Sequence, residues 1–145
     1  MELEGKIWKD GKFWLVEVPC LDIMTQGKTR KEAFMMIKDA IITCALCNFD
    51  EKLLVNFDVI VKEYDRDVIC ITTTDNKILL ALSLIRQRVK SGSTIRDASK
   101  RLGSTSPNAY GAYEKGKINI SLDKYERLLY AANPQQHNRL RLANV

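Results

Sequence analysis

The chain has 145 residues, with 23 Lys and Arg against 18 Asp and Glu, and 46% of its residues are hydrophobic. This composition is typical of a soluble globular protein with one ordinary domain or two small ones. No apolar run reaches the ~18 residues that a membrane-spanning helix needs, and the N-terminus lacks a secretory signal pattern. We therefore expect a cytoplasmic protein whose four cysteines stay reduced.

The net charge is divided unevenly along the chain. Residues 1–75 carry 10 Lys and Arg against 14 Asp and Glu, a net charge of −4, whereas residues 76–145 carry 13 against 4, a net charge of +9. Lys and Arg that neutralise phosphates supply most non-specific affinity for DNA. An acidic surface instead suits a basic protein partner. The two halves are therefore expected to bind different partners.

Alternating apolar residues predict three strands at the start of the chain. Residues 2–9 and 12–18 flank Asp10-Gly11, a strong hairpin signal. Pro19 ends the second strand because proline lacks the backbone donor of a ladder, and residues 21–26 form a short third strand.

A helix and two further strands follow. Thr29 with Glu32 three residues later forms a capping box, which predicts a helix that ends near Phe49. Strands are predicted over residues 55–63 and 68–74. The element order β-β-β-α-β-β indicates an α+β domain, with a mainly antiparallel sheet and one helix packed on it. The predicted buried stripe of the helix consists of Ala33, Met36, Ile37, Ala40, Ile41, Cys44 and Cys47.

Short motifs recur in order through residues 5–48. They are Gly11 before a strand, Val18-Pro19, the run Thr25-Gln26-Gly27-Lys28-Thr29, and Lys31-Glu32-Ala33 at the helix start. In this order they resemble the N-terminal domain of the HicB antitoxins. The resemblance implies a truncated RNase H-like domain over residues 1–74. It also implies a small, basic, mRNA-cleaving toxin of the HicA type as the partner of that domain.

The periodicity becomes helical after Asp75, and four helices are predicted. The first ends near Gly92, and the last runs from a cap at Ser121 to Asn133-Pro134. Their inward residues are Ile78, Leu79, Leu82, Ile85 and Val89 in the first, and Leu122, Tyr125, Leu128, Leu129 and Ala132 in the last. An all-α domain over residues 76–134, followed by a basic tail over residues 135–145, completes the predicted organisation.

The two middle helices predict a helix-turn-helix. Gly103 ends a helix whose inward residues include Ile95, Ala98, Ser99 and Leu102, and Ser106-Pro107 starts a second one that ends at Gly116. Leu102-Gly103 and Tyr113-Glu114-Lys115-Gly116 resemble the Cro/XRE-type helix-turn-helix family. The second helix of this motif enters the DNA major groove. Ile95 and Ser99 stand where the family usually has glutamine and alanine.

Candidate DNA-binding residues follow from placing Tyr110 and Tyr113 in the core. Asn108 then faces the groove, where its amide fits an adenine edge. The predicted base-facing residues are Ser106, Asn108, Ala109 and Ala112, and the predicted phosphate contacts are Arg96, Lys100, Lys115 and Lys117.

Two other constellations have simpler interpretations. Cys44 and Cys47 form a C-x-x-C late in a helix, which favours core packing over zinc binding because no second ligand pair has a matching spacing. A two-metal nuclease needs clustered carboxylates, and the sequence groups no three of them. We expect no metal, no cofactor and no enzyme activity. The carboxylates considered are Asp10, Glu17, Asp22, Asp39, Asp58 and Glu63.

These observations favour a HicB-like antitoxin that neutralises a HicA-like toxin and represses its own operon as a homodimer or a higher even oligomer. The alternative is a stand-alone transcription regulator whose N-terminal domain senses a small ligand. A metal-dependent nuclease is a third hypothesis.

Overall fold

The computed structural model describes residues 1–138 and 140–142, and within them the chain forms five strands and four α-helices. The strands form one antiparallel sheet in the order β3-β2-β1-β5-β4, and the helices lie outside it. The predicted α+β class is confirmed. The strands are β1 Leu3–Asp10, β2 Phe13–Val18, β3 Ile23–Gly27, β4 Val59–Asp65 and β5 Val68–Thr73. The helices are α1 Arg30–Asn48, α2 Asn76–Ser91, α3 Ile95–Arg101 and α4 Leu122–Ala132.

α1 covers one face of the sheet. Ile7 and Val16 lie opposite each other on β1 and β2, and both are fully buried with Ile37 and Ile41 of α1. Strands β3 and β4 form the two edges, so the chain passes from one edge to the other through α1. The identity of this half as an RNase H-like domain stays a prediction.

α1 differs from the predicted helix in its buried stripe and its cap. Its fully buried residues are Ala33, Ile37, Ile41 and Ala45. Met36 is 40% exposed and Cys47 is exposed, so the predicted stripe was wrong there, because the sheet covers a narrower part of the helix than the apolar pattern spans. The Thr29 hydroxyl accepts a hydrogen bond from the Glu32 amide. The Glu32 carboxylate, however, accepts from the Lys28 amide and not from the Thr29 amide, so the predicted capping box is incomplete.

The strand predicted from residue 55 begins later. Asp50 accepts a hydrogen bond from the Lys52 amide at 2.9 Å and caps a 3₁₀ helix over Glu51–Leu54. Sequence periodicity does not reveal this short helix, because its four residues are too few to show a repeating pattern. β4 consequently starts at Val59.

α2 contributes to two hydrophobic cores. Ile78, Leu79 and Leu82 pack with the sheet and α1, whereas Leu80 and Leu84 pack with α3 and α4. Val89 of α2 and Leu122 of α4 were both predicted to face inward. Val89 is 55% exposed and Leu122 is 66% exposed, so both predictions were wrong. The predicted boundary at residue 75 therefore precedes a helix that both halves share.

Buried polar groups join the halves across α2. Gln87 is fully buried, and its amide nitrogen donates to the carbonyl oxygens of Pro19 at 3.1 Å and Cys20 at 2.9 Å. Its amide oxygen accepts from Asn133 at 3.1 Å. Because unsatisfied buried amides are costly, this chain of bonds fixes the end of α4 relative to the sheet.

The predicted tail is described only in part. Arg139 and residues 143–145 lie outside the described residues. Arg141 forms an ion pair with Glu4 of β1. Within residues 1–138 and 140–142, every helix is too short or too polar to span a membrane.

Candidate nucleic-acid interface

α3 is defined by its own local sequence. Thr94 Oγ1 accepts from the Asp97 amide at 3.1 Å, and Asp97 Oδ2 accepts from the Thr94 amide at 2.8 Å, which completes a capping box. The bond from the Thr94 amide lowers the pKa of the Asp97 carboxyl. After α3 the chain turns at Gly103, whose φ of 80° lies in the left-handed region that favours glycine, as predicted.

The recognition segment, residues 106–115, is not the predicted α-helix. It consists of tight turns followed by a 3₁₀ helix over Gly111–Lys115, and the Ser106 side chain makes no cap. Serine, proline, asparagine and glycine have low helix propensity, and they occupy the start and middle of the segment. Its backbone bonds join residues three apart: Ala109 to Ser106, Gly111 to Asn108, and Tyr113 to Tyr110.

Tyr110 anchors the recognition segment to the core below it. Its side chain is fully buried, and its hydroxyl donates to the Leu84 carbonyl oxygen of α2 at 3.3 Å. Its backbone amide donates to Ser99 Oγ of α3 at 3.0 Å. Burial raises the pKa of the Tyr110 hydroxyl far above its usual range, so it stays protonated.

An ion pair holds the far end of the segment. Arg88 of α2 donates to both carboxylate oxygens of Glu114, with Nε–Oε1 2.6 Å and Nη2–Oε2 3.0 Å. The pair is largely shielded from water, since the side chains are 17% and 8% exposed. The hydrogen bond with Glu114 raises the pKa of Arg88. Arg88 also donates to the Ser93 carbonyl oxygen at 3.1 Å, so one guanidinium links α2, the segment and the turn before α3.

Sequence reasoning missed Arg88, although a signal was present. Arg88 follows Leu80 and Leu84 at intervals of four residues, and therefore continues the stripe of α2 that faces the helix-turn-helix core. Arg101 was missed as well. Its guanidinium donates to Ser93 Oγ and to the Ala131 carbonyl oxygen, both at 2.8 Å, and so connects α3 with the end of α4.

The structure places nearly all predicted DNA-binding residues at the surface. Ala109 is half-buried beside Tyr110. No ion pair to another described residue involves any of the four predicted phosphate-contacting cations. The exposed residues are Arg96, Lys100, Ser106, Asn108, Ala112, Lys115 and Lys117.

The second predicted core tyrosine, Tyr113, is half-buried, and its ring lies 5.2 Å from Lys124 Nζ of α4. The predicted helix end at Gly116 has a φ of 72°, a left-handed conformation that favours glycine. A side chain at this position would also meet the Phe49 ring at 3.2 Å. The end of the recognition segment therefore touches the N-terminal half.

The cysteines and carboxylates considered for zinc binding and nuclease activity do not form a site among the described residues. Cys44 is half-buried and Cys47 is exposed, so the predicted core role of the second cysteine was wrong. Among the described residues, no three His, Cys, Asp or Glu side chains are grouped as metal ligands. Three carboxylates instead lie in separate ion pairs: Asp22 with Lys90, Asp58 with Lys38, and Glu63 with Arg30.

Comparison with known families supports the helix-turn-helix interpretation of the helical part of the chain. Residues 84–129 match a family described as helix-turn-helix, of the Cro/XRE type, and the match runs from within α2 into α4. Comparison with curated proteins and with solved structures gives no significant match. The helical part of the chain is thus a helix-turn-helix that binds double-stranded DNA, and the protein is a DNA-binding transcription regulator.

Proposed function

We propose that this regulator represses its own operon and that its N-terminal half binds and neutralises a small, basic toxin of the HicA type. The observation that carries the repressor role is the outward presentation of the recognition segment above the buried Tyr110. The toxin role is supported by the ordered motifs of residues 5–48 and by the net charge of −4 over residues 1–75.

In the proposed complex the recognition segment enters the major groove. Asn108 reads an adenine edge, Ser106 accepts or donates at a neighbouring base, and the methyl groups of Ala109 and Ala112 meet thymine methyls. Arg96, Lys100, Lys115 and Lys117 bind phosphates on either side of the groove. Two copies of the chain occupy two half-sites of the operator, as helix-turn-helix dimers do.

Asn108→Ala separates base reading from phosphate binding. We expect it to cost about 1–3 kcal/mol on the operator and to relax preference at one base pair, while binding to random DNA stays unchanged. Equal losses on operator and random DNA would refute base reading by Asn108. The measurement is a titration of both DNAs, followed by the same titration against all single substitutions of one half-site.

Lys115→Ala is the matched phosphate variant. It should weaken binding to operator and random DNA alike, and it should reduce the slope of log K against log salt by about 1. Lys9→Ala removes the same charge from the exposed end of β1, away from the recognition segment, and should leave both constants unchanged. A salt slope unchanged by Lys115→Ala would remove this lysine from the interface.

The toxin role is tested by co-purification of the tagged chain with the product of its neighbouring gene. A tightly bound small basic protein that is toxic when expressed alone supports the antitoxin. A homodimer that recovers no partner and still shifts its own promoter supports the alternative, a stand-alone regulator with a ligand-sensing N-terminal domain.

A further inference from the structure

β3 is an edge strand with little protection against pairing. All five of its residues pair with β2 in unbroken register, and its other side has no strand among the described residues. Natural sheets protect their edges with charged residues, proline or bulges. The opposite edge, β4, follows that rule, since it carries Lys62 and a register shift near Glu63. β3, with the sequence IMTQG, has none of these devices.

An open groove of about 470 Å³ runs beside β3, between the strand and α1, and its mainly apolar lining also includes the charged residues Asp39 and Arg86. Met36, Ala40 and Cys44 line it, and these are the residues that extend the apolar stripe of α1 beyond the part that the sheet covers. Met36 is 40% exposed there, and Met24 on the other face of β3 is 56% exposed. Apolar surface therefore flanks the edge on both faces of the sheet.

The strand β3 is complementary to itself. When two copies of β3 pair antiparallel about a two-fold axis at Thr25, each residue faces the residue at the same distance on the other side of Thr25 in the second copy. Thr25 then faces Thr25 of the second copy, and Met24 faces Gln26. Threonine pairs are favourable across strands. The axis is perpendicular to the sheet, so both copies of α1 lie on the same face.

We propose that the protein dimerises through β3, which pairs with β3 of a second copy about an axis at Thr25. The two five-stranded sheets become continuous, and the grooves of the two copies meet across the axis. This interface rests on the proposed dimeric regulator and assigns the dimer contact to the N-terminal half. The two helix-turn-helix units are then attached at opposite ends of the joined sheet, because the paired strands run antiparallel.

Two double variants that differ at one position test this register. Met24→Lys with Gln26→Lys places lysine opposite lysine at two symmetric sites, and should raise the dimer dissociation constant by about tenfold or more. Met24→Lys with Gln26→Glu places lysine opposite glutamate at the same sites, and should keep the dissociation constant within about threefold of the parent value. Lysine at position 24 lies beside Glu17 of β2 within one chain, which favours folding of both variants.

The readout is sedimentation velocity of the full chain across a concentration series, with circular dichroism to confirm that each variant is folded. Ile60→Lys makes a similar change on the exposed face of the opposite edge strand and should leave the dimer unchanged. A parent chain that stays at 16.6 kDa throughout, or a Lys/Lys variant that dimerises like the parent, would overturn the proposal. Equal loss in both double variants would overturn the register. No DNA or partner protein is present, so this result is separate from operator binding and from toxin binding.

Discussion

α3 and the recognition segment are neighbours in one motif, yet they are specified in different ways. α3 has a complete capping box between Thr94 and Asp97 and regular α-helical bonds. The recognition segment has no side-chain cap, includes Gly111, and forms turns and a 3₁₀ helix. Its position depends on Tyr110 and Glu114, which contact residues of α2 and α3 that are distant in the chain.

The comparison teaches that the recognition segment, which we propose to meet DNA, has little local structure of its own. Local side-chain bonds define where α3 begins. The recognition segment takes its shape from a buried ring and a buried ion pair, and its shape should be lost when either is removed. Gly111 allows this close fit, since a side chain there would meet Ile95 of α3 at 3.2 Å.

The largest expected effect is that of Arg88→Ala. It leaves the Glu114 carboxylate, whose side chain is 8% exposed, without its ion pair, and should lower the free energy of unfolding by about 3 kcal/mol. Urea denaturation measures this loss. The double variant Arg88→Met with Glu114→Leu should recover most of it, because a buried ion pair can be replaced by apolar groups at little cost. A loss below about 1 kcal/mol for Arg88→Ala would mean that the pair behaves as an exposed one.

Ser99→Ala should have an intermediate effect on the same side of the comparison. It removes the hydroxyl that accepts the hydrogen bond of the Tyr110 amide, in a place that is fully buried, and should cost about 2 kcal/mol of unfolding free energy. Operator affinity should fall as well, since the segment loses its bond to α3. Thr105→Ala removes an exposed hydroxyl nearby and should change stability by less than about 0.5 kcal/mol. If Ser99→Ala changes stability as little as Thr105→Ala does, a water molecule takes the place of the Ser99 hydroxyl as the acceptor for the Tyr110 amide.

Much of the fold could be predicted because its signals are local. The hairpin at Asp10-Gly11, the cap at Thr29 and the left-handed stops at Gly92 and Gly103 each depend on a few adjacent residues. The periodicity also indicated α2 correctly, including its end. The exposed side of α1 could not be predicted, because the apolar pattern does not reveal how much of the helix the sheet covers.

The candidate site was predictable in sequence position but not in form. Tyr110 was expected in the core and lies there, and Glu114 was identified through the motif that contains it. Two contacts could not be predicted from local sequence. Glu114 pairs with Arg88, which lies 26 positions away in the chain, and the Tyr110 amide donates to Ser99, which lies 11 positions away. The Ser106-Pro107 pair suggested a helix start, but the low helix propensity of the segment, together with the contacts of Tyr110 and Glu114, favours turns and a 3₁₀ helix.

The smallest expected effect separates two hydroxyl residues that both precede helix-like turns. Thr94→Ala removes the acceptor for the Asp97 amide and should cost about 1 kcal/mol of unfolding free energy, with faster amide exchange along α3. Ser106→Ala should cost less than about 0.5 kcal/mol, because this side chain caps nothing. Paired urea titrations of the two variants measure the difference. Equal costs near 1 kcal/mol would mean that residues 106–115 form a capped α-helix in solution, and the recognition segment would then be specified locally, as α3 is.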